Sequence, residues 1–175
     1  MIEIKTWWRY WRYLWRHKWH VFIECLRSGL IIEAIMHDWS KLLPSEFFPY
    51  ASNFYGGDYA HKYFEVKQRV DVAWLYHQRR NKHHWDYWVN SEGVALPMPA
   101  KYVKQMVCDW NAMGKVFGDT AKEFYHQKKD SMRLHSSTIE IIEQEILMLV
   151  KNARMPAHQD GCSEKGGDAH ANGPI

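Results

Sequence analysis

The stretch Ile35-Met36-His37-Asp38-Trp39-Ser40-Lys41 brings three chemically useful side chains into five consecutive positions. An adjacent His-Asp pair offers a cation a neutral imidazole nitrogen and an anionic carboxylate oxygen. Lys41, three residues after the Asp, lies one helical turn further on near the same face. Its charge would there meet whatever anion the cation binds. Taken alone, the same residues also read as a helix-end His, an N-capping Asp and a solvated lysine. The other histidines bear on the choice. The chain has 11 His, of which His158 and His170 fall in a polar C-terminal stretch. Among the other nine, five fall in a suggestive order: His17, then His37-Asp38, then His77, then His83 and His84, with Asp109 to follow. Asp109 stands among Met106, Val107 and Trp110, an expensive place for a lone carboxylate.

These residues need elements to carry them. Residues 3–28 read as one long helix, with Trp7/Trp8, Trp11, Trp15 and Trp19 at three- and four-residue steps, then Phe22, Ile23 and Leu26. Arg9, Arg12, Arg16 and Lys18 fill other positions. A tryptophan- and arginine-rich helix can lie on a membrane surface; the expectation here is a core-facing tryptophan stripe with a basic outer face. Gly29 is a natural helix stop. A second helix runs from about Leu30 into the His-Asp pair, and Ser45 is the expected N-cap of the next, with Pro49 in its first turns or kinking it. Gly56-Gly57-Asp58 is a loop. Residues 60–84 are helical by pattern, with Tyr63, Val66, Val70, Ala73, Trp74 and His77 on one face; if that helix persists, His77 and His84 share the face two turns apart. Prolines at 97 and 99 bar a helix until Ala100. Helices are then expected over 100–113, 119–130 and 136–152, the last capped by Ser136 or Ser137. The fold class is all-α, a bundle of about five to seven helices with no convincing strand. One domain covers 1–153, and 154–175 reads as a disordered tail.

The totals agree with a single domain: 175 residues, 46% hydrophobic, 15% aromatic. A net charge of +3 is mild, so nucleic-acid binding by bulk charge is weakly supported, although the first 30 residues are locally basic. Cys25, Cys108 and Cys162 lack metal-knuckle spacing, and an odd count fits a reducing cytoplasm better than a disulfide framework. No uncharged apolar run is long enough to span a membrane, and charges interrupt every apolar stretch near the N-terminus, so neither a membrane partner nor a cleaved leader is expected.

The order His17, His37-Asp38, Asp109 resembles the HD-domain metallohydrolase superfamily, in which a His on an early helix, a His-Asp pair on the next and an Asp on a later one hold a divalent metal. "His-Asp-Trp-Ser-Lys" is similar to that superfamily's His-Asp-x-x-Lys variant. For the first ligand His17, followed by Val21, Phe22 and Cys25, fits better than His20, though the sequence leaves both open. Members with two metals add histidines between the pair and the final Asp, where this chain has His77, His83 and His84. Spacing between His17 and His37 is short for the superfamily. The strings "HDWSKLLPSEFFPY", "HQRRNKHHWDYW" and "LPMPAKYVKQMVCDW" resemble more closely a family of small HD-like proteins carried by phages and prophages, which has no assigned activity to transfer.

The resemblance implies a metal-dependent phosphohydrolase acting on a nucleotide or related phosphate ester. His17, His37, Asp38 and Asp109 would hold one divalent metal (Mn, Fe, Co, Ni or Zn) and His77, His83 and His84 a second. Lys41, with Arg79 or Arg80 and Lys82, would hold phosphate oxygens. His77, His83 or His84 would instead serve as proton donor if not a ligand. Trp85, with Trp39 and Trp88, could stack a base or simply pack. Two other readings stand beside it: a di-iron oxygenase of the same superfamily, and a non-enzymatic phage protein whose Trp/Arg helix contacts a host protein or nucleic acid. The expected location is the cytoplasm, that of a bacterial host if the gene is phage-borne, and a homo-oligomer is left open.

Overall fold

The computed structural model describes residues 4–56 and 64–154. Among these, seven α-helices occur and no strand beyond one isolated bridge between Val89 and Ala95. The helices are α1 (Ile4–Arg27), α2 (Ile31–Met36), α3 (Pro44–Tyr55), α4 (Phe64–Arg80), α5 (Ala100–Phe117), α6 (Ala121–Lys128) and α7 (Ser136–Arg154). Short 3₁₀ turns cover Trp39–Leu42, Trp85–Trp88 and Lys129–Ser131. The all-α bundle expected from the periodicity is the fold observed. The expected tail lies outside the described residues from 155 onward, as does the loop at Gly57-Asp58.

Helix α1 is the axis. Its buried face carries Thr6, Tyr10, Leu14, His17, Val21, Glu24 and Cys25, at three- and four-residue steps. Tyr10 and Leu14 pack with Tyr50 and Ala51 of α3 and Ala73 of α4. Further along, Val21 and Cys25 pack with Leu30, Ala34 and the Cys108 and Ala112 of α5. His17 falls between these two apolar clusters, so each helps to keep water from it. The far side of α5 builds a third cluster, where Val103, Met106, Val107 and Trp110 meet Tyr125 and the Ile142 and Ile146 of α7.

The tryptophan stripe does not face this core. Trp8, Trp11, Trp15 and Trp19 are 61%, 37%, 48% and 61% exposed, whereas Tyr10 and Leu14 are 1% exposed. The expectation failed because α1 is apolar on two sides. Tyr10, Leu14, His17 and Val21 repeat at helical spacing just as the tryptophans do, and periodicity shows that a face exists without choosing which one packs. Trp7 alone of the expected stripe turns inward, and it meets Phe48 at 5.1 Å between ring centroids.

Two helix boundaries differ from expectation in ways that shape the site. Leu43, not Ser45, is the N-cap of α3, because Pro44 takes the first helical position, where its missing N–H costs nothing. Pro49 sits inside the helix without ending it. Helix α4 stops at Arg80 instead of continuing to 84. At its end the His77 carbonyl accepts twice from Asn81, from the backbone N–H at 3.1 Å and from Nδ2 at 2.8 Å. His83 and His84 therefore lie on a turn that doubles back, not on the helix face that carries His77.

Candidate metal centre

Four other segments converge on the His37-Asp38 pair. His17 arrives from the middle of α1, His77 from the last turn of α4, His83 and His84 from the turn after it, and Asp109 from α5. His37 ends α2 in extended backbone (φ −54°, ψ 128°). Asp38 follows in the left-handed region (φ 51°, ψ 32°), the one non-glycine with positive φ among the described residues. Asp tolerates this conformation better than most residues, yet it carries strain of a kind concentrated at functional sites. The reversal breaks the helix and turns both members of the pair towards the same interior point. Lys18 Nζ donates to the freed His37 carbonyl.

The donor atoms form two groups that share the Asp38 carboxylate. Around Oδ2, His17 Nε2 stands at 3.5 Å and His37 Nε2 at 3.3 Å. Asp109 Oδ1 lies 3.3 Å from His17 Nε2 and 3.6 Å from His37 Nε2, and the two imidazole nitrogens are 3.3 Å apart. Around Oδ1, His77 Nε2 and His83 Nε2 both stand at 3.3 Å, and His84 Nε2 is 2.9 Å from His77 Nε2. Ligands about 2.0–2.1 Å from a common ion are about 2.8–3.0 Å from one another at octahedral angles and about 3.3–3.4 Å at tetrahedral ones. Most of these edges fall at or near those ranges.

Hydrogen bonds alone do not account for the cluster. Asp38 Oδ1, Asp109 Oδ1 and His83 Nε2 are buried without a hydrogen-bond partner. His17 Nε2 faces two carboxylate oxygens and a second imidazole nitrogen within 3.5 Å, and one ring proton cannot satisfy three acceptors. Orphaned polar atoms so deep are costly, and a cation shared among them would remove the cost. The donor set therefore fits a metal ion: neutral imidazoles and carboxylates, mixed in the way borderline transition metals accept.

The electrostatics differ among the members: at His77 burial works to lower the pKa, but Asp38 and the hydrogen bond to Glu46 outweigh it and raise it. Burial works to raise the Asp38 carboxyl, but the electrostatic pull of the His37, Lys41 and His77 side chains outweighs it and holds the group well below the usual carboxylate range. Burial pushes the His37 imidazole down to about 4 against the pull of Asp38 and Asp109, so its ring is neutral near pH 7. His84 is likewise driven down by burial and by His83 and His77. Lys41 Nζ sits 2.5 Å from Asp38 Oδ2. Burial lowers its pKa, but Asp38 and Asp109 raise it further, so it stays charged. The Asp109 and Lys41 side chains, 14% and 21% exposed, are where the cluster reaches solvent.

A second layer aims His77. Its Nδ1 meets Glu46 Oε2 at 3.0 Å, and Glu46 in turn accepts from Ser40 Oγ at 2.9 Å and Arg80 Nη1 at 2.8 Å. Asn81 Nδ2 donates to Ser40 Oγ at 2.6 Å. A carboxylate behind a ligand histidine orients the ring and raises its basicity. Sequence reading gave Glu46, Ser40 and Asn81 no role, although all three lie within the strings quoted for the family resemblance. Ser40 and Glu46 come from neighbouring stretches, but their partner His77 lies 31 residues beyond Glu46.

The structure brings His17, His37, Asp38, Lys41, His77, His83, His84 and Asp109 together, and leaves His20 out of the cluster. Arg80 is held by Ser45 and Glu46, so much of its charge is already engaged. Lys82 and Arg80 line a cleft of about 260 Å³ with His83, Trp39, Lys101 and Tyr102. Arg79 instead reaches the Asp86 and Val89 carbonyls. Trp85 packs against the third apolar cluster and not into the cleft.

A family model described as "Family of unknown function (DUF5662)" matches residues 6–148. The match spans most of the chain and every residue of the cluster, and the protein belongs to this family. Searches of curated proteins and of solved structures returned no significant match.

Proposed function

We propose that this protein is a metal-dependent phosphohydrolase of HD type, acting on a nucleotide or related phosphate ester. One observation carries the reading: six potential ligands, His37 and five side chains from four other segments, meet on the buried Asp38 carboxylate, and several polar atoms there have no hydrogen-bond partner. His17, His37, Asp38 and Asp109 would hold one divalent cation, and Asp38 with His77, His83 and His84 a second, drawn from Mn, Fe, Co, Ni and Zn. A cation so held makes water nucleophilic near neutral pH and offsets charge on the phosphoryl group.

The chain's own residues supply the rest. Lys41 remains charged beside Asp38 and is exposed enough to meet a phosphate oxygen. Lys82 and Lys101 add charge to the cleft beside His83, and Trp39 and Tyr102 offer faces for a base. His77 has Nδ1 committed to Glu46 and Nε2 to the Asp38 side, which supports a ligand role over proton donation. A small phosphate ester in the cytoplasm, of a bacterial host if phage-carried, is the substrate class; no described helix is long and apolar enough to cross a membrane.

The test is elemental analysis of the purified protein joined to a phosphate-release screen. Expected are one or two equivalents of transition metal and turnover of at least one nucleotide or phosphomonoester, both abolished by Asp38→Ala. Absence of turnover with all five metals overturns the reading. The shared Asp38 and the second ligand group favour one further reading, a di-iron oxygenase of the same superfamily. Two irons with dioxygen consumption would select it; a single redox-silent metal removes it.

A further inference from the structure

A second concentration of charge lies one turn along α1 from the metal ligands. Arg9, Arg12, Tyr13 and Arg16 share a side of the helix and, with Tyr55 from the end of α3, line a pocket of about 250 Å³. The Arg9 guanidinium stands 5.8 Å over the Tyr55 ring, which orients it without neutralising it. Among the described residues no carboxylate forms an ion pair with Arg9, Arg12 or Arg16, although the protein's acidic side chains do pair elsewhere. Three exposed arginines lining one concavity repel each other, an arrangement that an anion relieves.

The pocket adjoins the metal centre through one side chain. Tyr13 lines the pocket and stacks nearly parallel on His17, with ring centroids 6.4 Å apart and 11° between planes. From Arg9 to His17 the helix advances eight residues, about 12 Å, a distance suited to a chain of two or three phosphates and longer than one phosphate needs. Guanidinium groups and tyrosine hydroxyls are the donors that bind phosphate oxygens with defined geometry.

We propose that this pocket is an oligophosphate-binding subsite, which engages the phosphate groups beyond the one that is cleaved. The substrate class narrows accordingly to esters carrying a second phosphate in line with the first. This rests on the phosphohydrolase reading for its role in turnover, but the pocket itself can be tested without it. The probe is pyrophosphate, titrated calorimetrically into the chelator-treated full chain. Binding near one equivalent is expected, weakened about tenfold or more in Arg12→Gln/Arg16→Gln, since each lost charge-assisted contact is worth roughly that much. Both positions are exposed, so the fold should persist, and circular dichroism checks it. In the metal-loaded enzyme the same variant should raise KM for a diphosphate substrate and leave that for a monophosphate ester within about twofold. Unaltered pyrophosphate binding in the variant overturns the pocket and leaves the hydrolase reading in place. Arginine-dependent binding in a protein that takes up no metal overturns the hydrolase reading and upholds the pocket.

Discussion

Asp38 and Glu24 are both buried carboxylates packed around α1, and their surroundings are opposites. Glu24 Oε1 accepts from Lys115 Nζ and from Arg27 Nη1, and Oε2 accepts from Asn111 Nδ2 at 2.7 Å. Every oxygen has a donor, and the cluster ties α1 to α5. Around Asp38 the neighbours are mostly other potential ligands, Oδ1 has no donor, and the one firm cation, Lys41, sits to the side. The first cluster is complete as built. The second is a set of lone pairs aimed inward, and that difference separates a structural ion pair from a cluster able to hold a cation more sharply than burial or charge alone.

The comparison breaks most visibly at Asp38. Asp38→Ala should abolish metal binding and lower phosphate release by at least about a thousandfold, because both ligand groups lose their shared member; retention of either in the purified variant would falsify the bridging role. Glu46→Gln tests the layer behind His77. It should weaken metal affinity about 10–100-fold at the Asp38–His77–His83–His84 group and leave the other group intact, read by two-step metal titration.

Glu24→Ala probes the other side of the comparison. It should cost roughly 1–3 kcal/mol in urea unfolding, as a buried acceptor of three donors is removed while Lys115 stays partly solvated. Metal content should not change. The same carboxyl sets an acid limit. Burial works to raise its pKa, but the hydrogen bonds from Lys115 and Asn111 outweigh it and hold the pKa below the ordinary value. Its contribution is thus fully present above about pH 4.3, the unfolded value, and is lost as pH falls through the depressed folded value. Glu24→Gln should flatten that part of the stability profile of the metal-free protein. The smallest effect belongs to the exposed stripe. Trp15→Gln should move stability by no more than about 0.5 kcal/mol, and a larger loss would mean that this face packs against something.

Much of the buried His/Asp cluster was legible because its residues announce themselves chemically. An adjacent His-Asp pair, a histidine-rich turn and a carboxylate within an apolar helix are each costly unless used, and cost can be read without coordinates. Glu46, Ser40 and Asn81 were not legible, since a buried glutamate and serine look like ordinary surface residues until His77 stands beside them. The arginine pocket was half legible: the basic residues of α1 were plain, but not that Tyr55 would close a concavity around them.

The sequence by itself determined the all-α class, the helix periods, and the residue types able to hold a metal, because these depend on local spacing and side-chain chemistry. Only the tertiary structure decided three further matters. It turned Tyr10 and Leu14 inward in place of the tryptophans, chose His17 over His20, and swung His83 and His84 back beside His77 after the helix ends at Arg80. Each depends on what a distant segment presents to the same point in space, and spacing along one helix carries no information about that.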